Sequence, residues 1–152
     1  GVVVKYNELV ISQRSSSGMY WSNANIDTSL DNYTYSFDAK TDFNGKTNTA
    51  TILAEDSGAV AAKYCNDYTT AGTSAGDWYL PAIGELSGSL SSNNDAITST
   101  LSKLGWGWQD GWLWSSSEYN ETNAWFSNVT YGSAGYGSRA FGGHYVSCFL
   151  TL

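Results

Sequence analysis

The spacing of apolar and polar positions changes along the chain, and each change predicts a new element. Residues 2–6 and 9–12 are short apolar runs on either side of Asn7-Glu8, which predicts two strands around a tight turn. A polar connection follows, with Met19, Tyr20 and Trp21 as its inward anchors. Residues 31–53 read as loop with a turn at Asn44-Gly45, and a short helix is predicted over 47–53. Val60, Ala61, Tyr64, Cys65 and Tyr68 then recur at spacings of three and four, which puts one apolar face on a helix capped by Ser57.

Pro81, the only proline, marks a helix start because its missing amide would have no partner there. The extended stretch Asp77-Trp78-Tyr79-Leu80 leads into it, and Ile83, Leu86 and Leu90 face the core behind it. Glu85, in the first turns, favours the positive helix terminus and reads as a structural carboxylate. Asn93 or Asn94 caps a further helix whose Ile97, Leu101 and Leu104 share a face, and Gly105 suits a left-handed terminating position.

Beyond Gly105 the period drops to two. Trp114 is predicted to face inward beneath Ser115, Ser116 and Ser117, with Trp112 on the same face or at its edge. Trp125, Ser127 and Val129 fall on one side of the next strand, and Phe126, Asn128 and Thr130 on the other, before a turn at Tyr131-Gly132. One more irregular strand closes the chain. Strands before and after a run of helices, without regular alternation, give an α+β class and exclude a doubly wound fold.

Length and charge narrow the function. The 152 residues fit one domain over 1–152. Seven basic against fourteen acidic residues, a net charge of −7, leave no positive field for nucleic acid or an anionic membrane surface. No apolar run reaches the ~18 residues of a membrane span, so direct membrane insertion is not expected, nor is a signal peptide recognisable. The start at Gly1 rather than Met suggests processing or excision. Few lysines and many Ser, Thr, Asn, Gly and Tyr read as extracellular. Asp31, Asp38 and Asp42 do not have the spacing of an EF-hand loop and read as solvated turn carboxylates. No metal or cofactor is expected. Cys65 and Cys148, the only cysteines, form either one disulfide or two buried thiols.

Several ordered blocks carry a resemblance: "AAKYCNDYTTAGTSAGDWYLPAIGEL" (61–86), "LWSSSEY" (113–119), "NAW" (123–125) and "YVSCFL" (145–150). Together they resemble the bacterial DUF1566 or Lcl C-terminal domain group, from about residue 42 to the end. The resemblance implies a C-type lectin-like fold: short twisted antiparallel sheets with two main helices and long loops. It also implies a disulfide from Cys65 to Cys148, since such domains commonly bridge an early helix to the final strand. Basic residues that often flank the last cysteine in that group are Ser147 and Phe149 here, so no role of theirs carries over. The same fold occurs in receptor-binding targets of diversity-generating retroelements, which makes such a target, or a phage particle, a further expectation.

The region from Gly105 onward reads as a recognition face, and the resemblance implies that Trp114 and Trp125 are its framework. Trp108, Tyr119, Phe126, Tyr136, Phe141 and His144 supply ring surface, and Asn120, Asn123, Asn128 and Arg139 supply directed hydrogen bonds. Catalysis is poorly supported: His144 and Cys148 lie beyond hydrogen-bond reach in a strand, and Glu118 and Glu121 read as a loop acid and a structural acid rather than a working pair. The expected function is a secreted or cell-surface domain that binds a glycan or protein receptor. The alternatives are a structural module of an adhesin or pilus-like assembly and, third, an enzyme of the formylglycine-generating type of fold.

Overall fold

A computed structural model describes residues 2–4, 8–105 and 111–152. It is a mixed α+β arrangement with two small antiparallel sheets. The first joins the two ends of the chain: β1 (Val2–Val4), β2 (Leu9–Ile11) and β6 (Phe149–Thr151) lie in the order β1-β2-β6, with Ile11 opposite both Val2 and Phe149. The second is a meander of β3 (Trp112–Asn120), β4 (Asn123–Asn128) and β5 (Ser133–Ser138). Between the sheets in sequence come α1 (Ser36–Ala39), α2 (Gly45–Glu55), α3 (Val60–Asp67) and α4 (Asn94–Lys103). Four α-helices among the described residues thus replace the two main helices expected.

The segment after Pro81 shows why periodicity alone was a good guide to burial and a poor one to geometry. Ile83, Leu86 and Leu90 are all fully buried, but Glu85–Leu90 forms a π-helical turn. At about 4.4 residues per π turn, Leu86 and Leu90 fall almost one above the other, which aims both at the core behind the first sheet. That core also takes Ile97 and Leu101 from α4 and Leu9, Ile11 and Phe149 from the sheet. Leu104, expected on the same helix face, is 51% exposed because it lies just past the end of α4. Gly105 does adopt the left-handed conformation, φ 71°.

A second core lies between α3 and the meander, and two segments stitch it to the first. Tyr79 exchanges backbone hydrogen bonds with Phe149 (2.8 and 2.9 Å), and Tyr145 lies between the amide of Trp114 and the carbonyl of Trp112 (both 2.9 Å). Three large indoles fill the spaces, each with its N–H donating to a carbonyl of a distant segment: Trp21 to Ser115, Trp114 to Met19 and Trp125 to Tyr33 (2.7–2.8 Å). Trp21 is the inward anchor predicted, but Tyr20 beside it is 43% exposed. Ala61, Ala62 and Cys65 form the buried face of α3, whereas Val60, Tyr64 and Tyr68 lie half-buried at its edge. Ser57 does not cap that helix; Asp56 closes the turn instead, its Oδ1 accepting the Gly58 amide at 3.1 Å.

Cys65 is bonded to Cys148, 83 positions away in sequence, with a Cα–Cα separation of 5.3 Å. The bond fixes α3 to the strand-like segment that enters β6. A cross-link over so long a span contributes roughly 2–5 kcal/mol, chiefly by restricting the unfolded chain. Replacing both cysteines by serine should therefore lower the urea midpoint by that amount of stability. The same loss is expected when the wild-type chain is unfolded in reductant, and an unchanged midpoint in both experiments would contradict a stabilising link.

Candidate functional site

The meander is built on an irregularity in β3. Trp114 stands opposite Phe126 and Glu118 opposite Ala124, so three serines on β3 face a single residue, Trp125, on β4. This bulge breaks the inside-outside alternation, and Ser115, Ser116 and Ser117 are all buried. Each finds a partner: Ser115 Oγ donates to the Trp125 carbonyl (2.8 Å), Ser116 Oγ accepts from Asn48 Nδ2 (3.3 Å), and Ser117 Oγ donates to Asp42 Oδ2 (2.6 Å) while accepting the Ile83 amide (3.0 Å). Asp42, expected in solvent, is 2% exposed, and it also accepts from Asn48 Nδ2 (2.8 Å) and the Asn44 amide (3.0 Å).

Next along β3, Glu118 is fully buried and pairs with Arg139 at 3.2 Å. Arg139 was expected on a displayed face; it is 1% exposed. Its guanidinium donates to the carbonyls of Ile26 (2.7 Å) and Asn120 (2.5 Å) and lies 4.4 Å from the centre of the Trp21 ring. Burial pushes the Glu118 carboxyl up despite this cation, and burial likewise lowers Arg139.

The remaining candidate residues do not form one surface. Asn120 and Asn123 build the β3–β4 turn, Asn120 Oδ1 accepting the amides of Thr122 (3.0 Å) and Asn123 (2.9 Å). Asn128 is buried beside the next turn, where its Oδ1 accepts the Tyr131 amide at 3.3 Å. Phe126, Phe141 and His144 lie on one side of the meander. His144 is enclosed by Trp114, Phe126 and Phe141, with ring centres 4.6, 4.1 and 4.8 Å away, and burial pulls its pKa down to about 4. Tyr119 and Tyr136 lie on the opposite side, stacked with centres 3.9 Å apart and planes 9° from parallel. Trp108 falls outside the described residues.

On that Tyr119 side an open aromatic surface does exist. Trp125 packs edge-on beneath the stacked pair, 5.4 Å from Tyr136, and Tyr33 packs against the same cluster. Tyr136 is 51% exposed, and Tyr35, close enough to Tyr119 to perturb its hydroxyl, is 71% exposed. Tyr33, Tyr35 and the exposed Phe37 were missed in the sequence, although aromatic residues at every second position of that stretch were the available signal.

No family model matches the chain, and no curated protein matches it. A solved structure does. It is the crystal structure of a fimbrial protein from Bacteroides ovatus ATCC 8483, which superposes with a TM-score of 0.64 at 18% identity, over 95% of this chain and 35% of that one. The chain thus spans about a third of the fimbrial protein's length, and at that identity what the two share is a fold. Without a matching family model, the likeness to the DUF1566 group rests on its quoted blocks of residues alone.

Among the described residues no three His, Cys, Asp or Glu side chains are placed to hold a metal ion, and Cys148 is consumed by its disulfide. Glu85 is a strongly perturbed carboxyl. Its Oε2 accepts the Ala82 amide at 2.7 Å and its Oε1 accepts from Tyr79 Oη at 3.2 Å, and burial raises its pKa to about 7. It caps a helix start, as a structural carboxylate should.

Two stability measurements test these assignments. Glu85 has a folded pKa raised from 4.5, so its contribution is fully present below 4.5 and is lost as pH rises through 7, up to about 3 kcal/mol at ~1.4 kcal/mol per unit. His144 has the opposite sign, its contribution complete above 6.5 and lost as pH falls through 4, so the two oppose each other in mildly acid solution. Glu85→Gln isolates the first: the variant should gain on the wild type from about pH 5 to about pH 8, and a constant difference would refute the assignment. Arg139→Met should cost about 3–5 kcal/mol in chemical denaturation by leaving Glu118 buried without its cation, and Glu118→Met added to it should recover part of that loss.

Proposed function

We propose that the chain is a module of a bacterial surface assembly of the fimbrial kind, with a C-type lectin-like fold, secreted or held at the cell surface as part of a longer protein. The observation that carries this reading is the superposition of 95% of the chain on a third of a fimbrial protein. The build of the module agrees with it. A disulfide suits an oxidising compartment outside the cytosol. Satisfied buried serines and indoles make a frame that holds its shape, which is what a spacer or tip module requires, and catalysis would require convergent titratable groups instead. Neither a phage particle nor a diversified binding face has an observation behind it, and neither forms part of the proposal.

A second reading is favoured by one specific feature. The stacked Tyr119 and Tyr136, with Trp125 beneath and Tyr35 alongside, present flat ring surface with hydroxyl groups at its edge, the combination that suits a sugar ring or a protein receptor. In that reading the fibre module is also its recognition end, and Phe126, Phe141 and His144 on the far side of the sheet support it rather than touch the ligand.

The two readings separate by experiment. Immunogold labelling of intact cells and Western analysis of sheared surface material should place the full-length protein in fibres, and retention in the cytosol would overturn the first. A glycan and surface-protein array probed with wild type beside Tyr136→Ala should show about tenfold weaker binding for the variant. Equal binding would remove the aromatic face while leaving the fibre reading intact.

A further inference from the structure

A small polar pocket opens where the 29–33 loop, the approach to α2 and the end of β3 meet. It has a volume of about 160 Å³, and the residues that line it include Asp31, Asp42, Glu118, Leu30 and Tyr33 and none with a basic side chain. Asp42 is already satisfied by the Asn44 amide, Asn48 and Ser117. Glu118 is satisfied on one oxygen only. Its Oε1 accepts from Thr28 Oγ1 (2.8 Å) and pairs with Arg139, whereas Oε2, on a residue with no exposed surface, has no hydrogen-bond partner among the described residues. The acidic character of the pocket is felt by Tyr33, whose hydroxyl is raised first by burial and then by Asp42 and Asp31.

Such a lining selects a cation, and its details narrow which one. A divalent metal wants several hard oxygen ligands at short range, and no three acidic side chains among the described residues are so placed. A guanidinium is a planar fork that binds best to two oxygens of one carboxylate, and Glu118 offers a single free one. A primary ammonium carries three donors that turn to suit separate acceptors. When it ends a lysine side chain, its methylene stem also needs apolar cover, which Leu30 and the ring of Tyr33 provide.

We propose that this pocket receives a lysine side chain of a protein partner, with the ammonium held by the charges of Asp31 and Asp42 and, as the pocket wall yields to admit it, donating to the buried Glu118 Oε2. The assignment stands whether or not the chain is part of a fibre. It gives the net charge of −7 one specific use, since lysine-bearing surfaces are drawn to the chain and registered at one point.

The test is a titration of the whole chain, followed by amide NMR, with Nα-acetyl-lysine N-methylamide. Parallel titrations use the norleucine and arginine analogues and calcium chloride. The lysine amide should produce saturable shifts at Tyr33, Ser117 and Glu118 in the millimolar range, as about one charged contact allows, and norleucine should produce none. Asp31 is exposed, so Asp31→Asn should leave the spectrum folded while weakening lysine about threefold or more. Glu118→Gln should abolish the shifts; should that variant fail to fold, the Asp31 variant still decides. No saturable lysine shift, an arginine analogue that binds as tightly, calcium that saturates the same resonances in place of lysine, or undiminished binding by Asp31→Asn would each overturn the proposal.

Discussion

The meander depends on a single buried ion pair. Glu118 in β3 and Arg139 just beyond β5 are both withdrawn from water, a costly arrangement unless every donor is used. Arg139 uses them on four acceptors: the carbonyl of Ile26 in the long entry loop, the carbonyls of Asn120 and Asn123 at the first turn of the meander, and Glu118. Its own backbone closes the ring, accepting from the Trp21 amide (2.9 Å) and donating to the Thr122 carbonyl (3.0 Å). The entry loop, the hairpin turn and the exit of the sheet thus share one anchor. Trp21, held under the guanidinium, carries the connection on to Ser115 at the bulge.

Once β3 and β4 are fixed, β5 divides the two sides of the sheet. The Phe126 ring lies across Gly135 and Gly137, where a Cβ would come within 2.6 Å of Cε2 and 3.2 Å of Cε1 respectively. The ring that crosses them leaves no room for a Cβ at Gly135 and little at Gly137. Tyr136 between them must point the other way, onto Tyr119 and Trp125. One side of the sheet is therefore closed over by Trp112, Phe126 and His144, and the other keeps an open pair of stacked tyrosines. The division explains why the residues expected to form one recognition face are spread over two sides, two turns and the interior.

What could be read in the sequence follows from how local its cause is. The burial of Ile83, Leu86, Leu90 and Trp114 follows from spacing within a few residues, and spacing showed it; that of Trp125 was read from the resemblance. The Cys65–Cys148 link stood as one of two readings until the resemblance favoured it, because geometry across 83 positions leaves no periodic trace. Asp42 and Arg139 were misplaced for the same reason: an isolated charge reads as solvated, and what buries each is a partner 75 or 21 positions away in Ser117 and Glu118. The serine bulge is invisible to a period-two reading, since three consecutive small polar residues match a loop as well as a buried strand whose hydroxyls are all paired. Tyr33, Tyr35 and Phe37 had a readable alternation but lie in a stretch dominated by turn-forming residues, and Tyr33 gains its meaning from Trp125, which donates to its carbonyl from the far end of the chain.

Glu118 connects the frame to the surface. One of its oxygens completes the anchor around Arg139 and the other has no partner, on a residue that lines an acidic pocket, so whatever donates to the second acts on a carboxylate already committed to holding the sheet. A cation seated there adds charge balance at the point where the buried pair is least satisfied. It does so only in the folded state, because Asp31, Asp42 and Glu118 meet only when the entry loop is docked on β3. Binding at the pocket and stability of the meander are therefore linked quantities. A partner that engages the chain at this point stiffens the same loop that supplies Tyr33 and Tyr35 to the aromatic surface, and the two features draw on one element of the fold rather than on two.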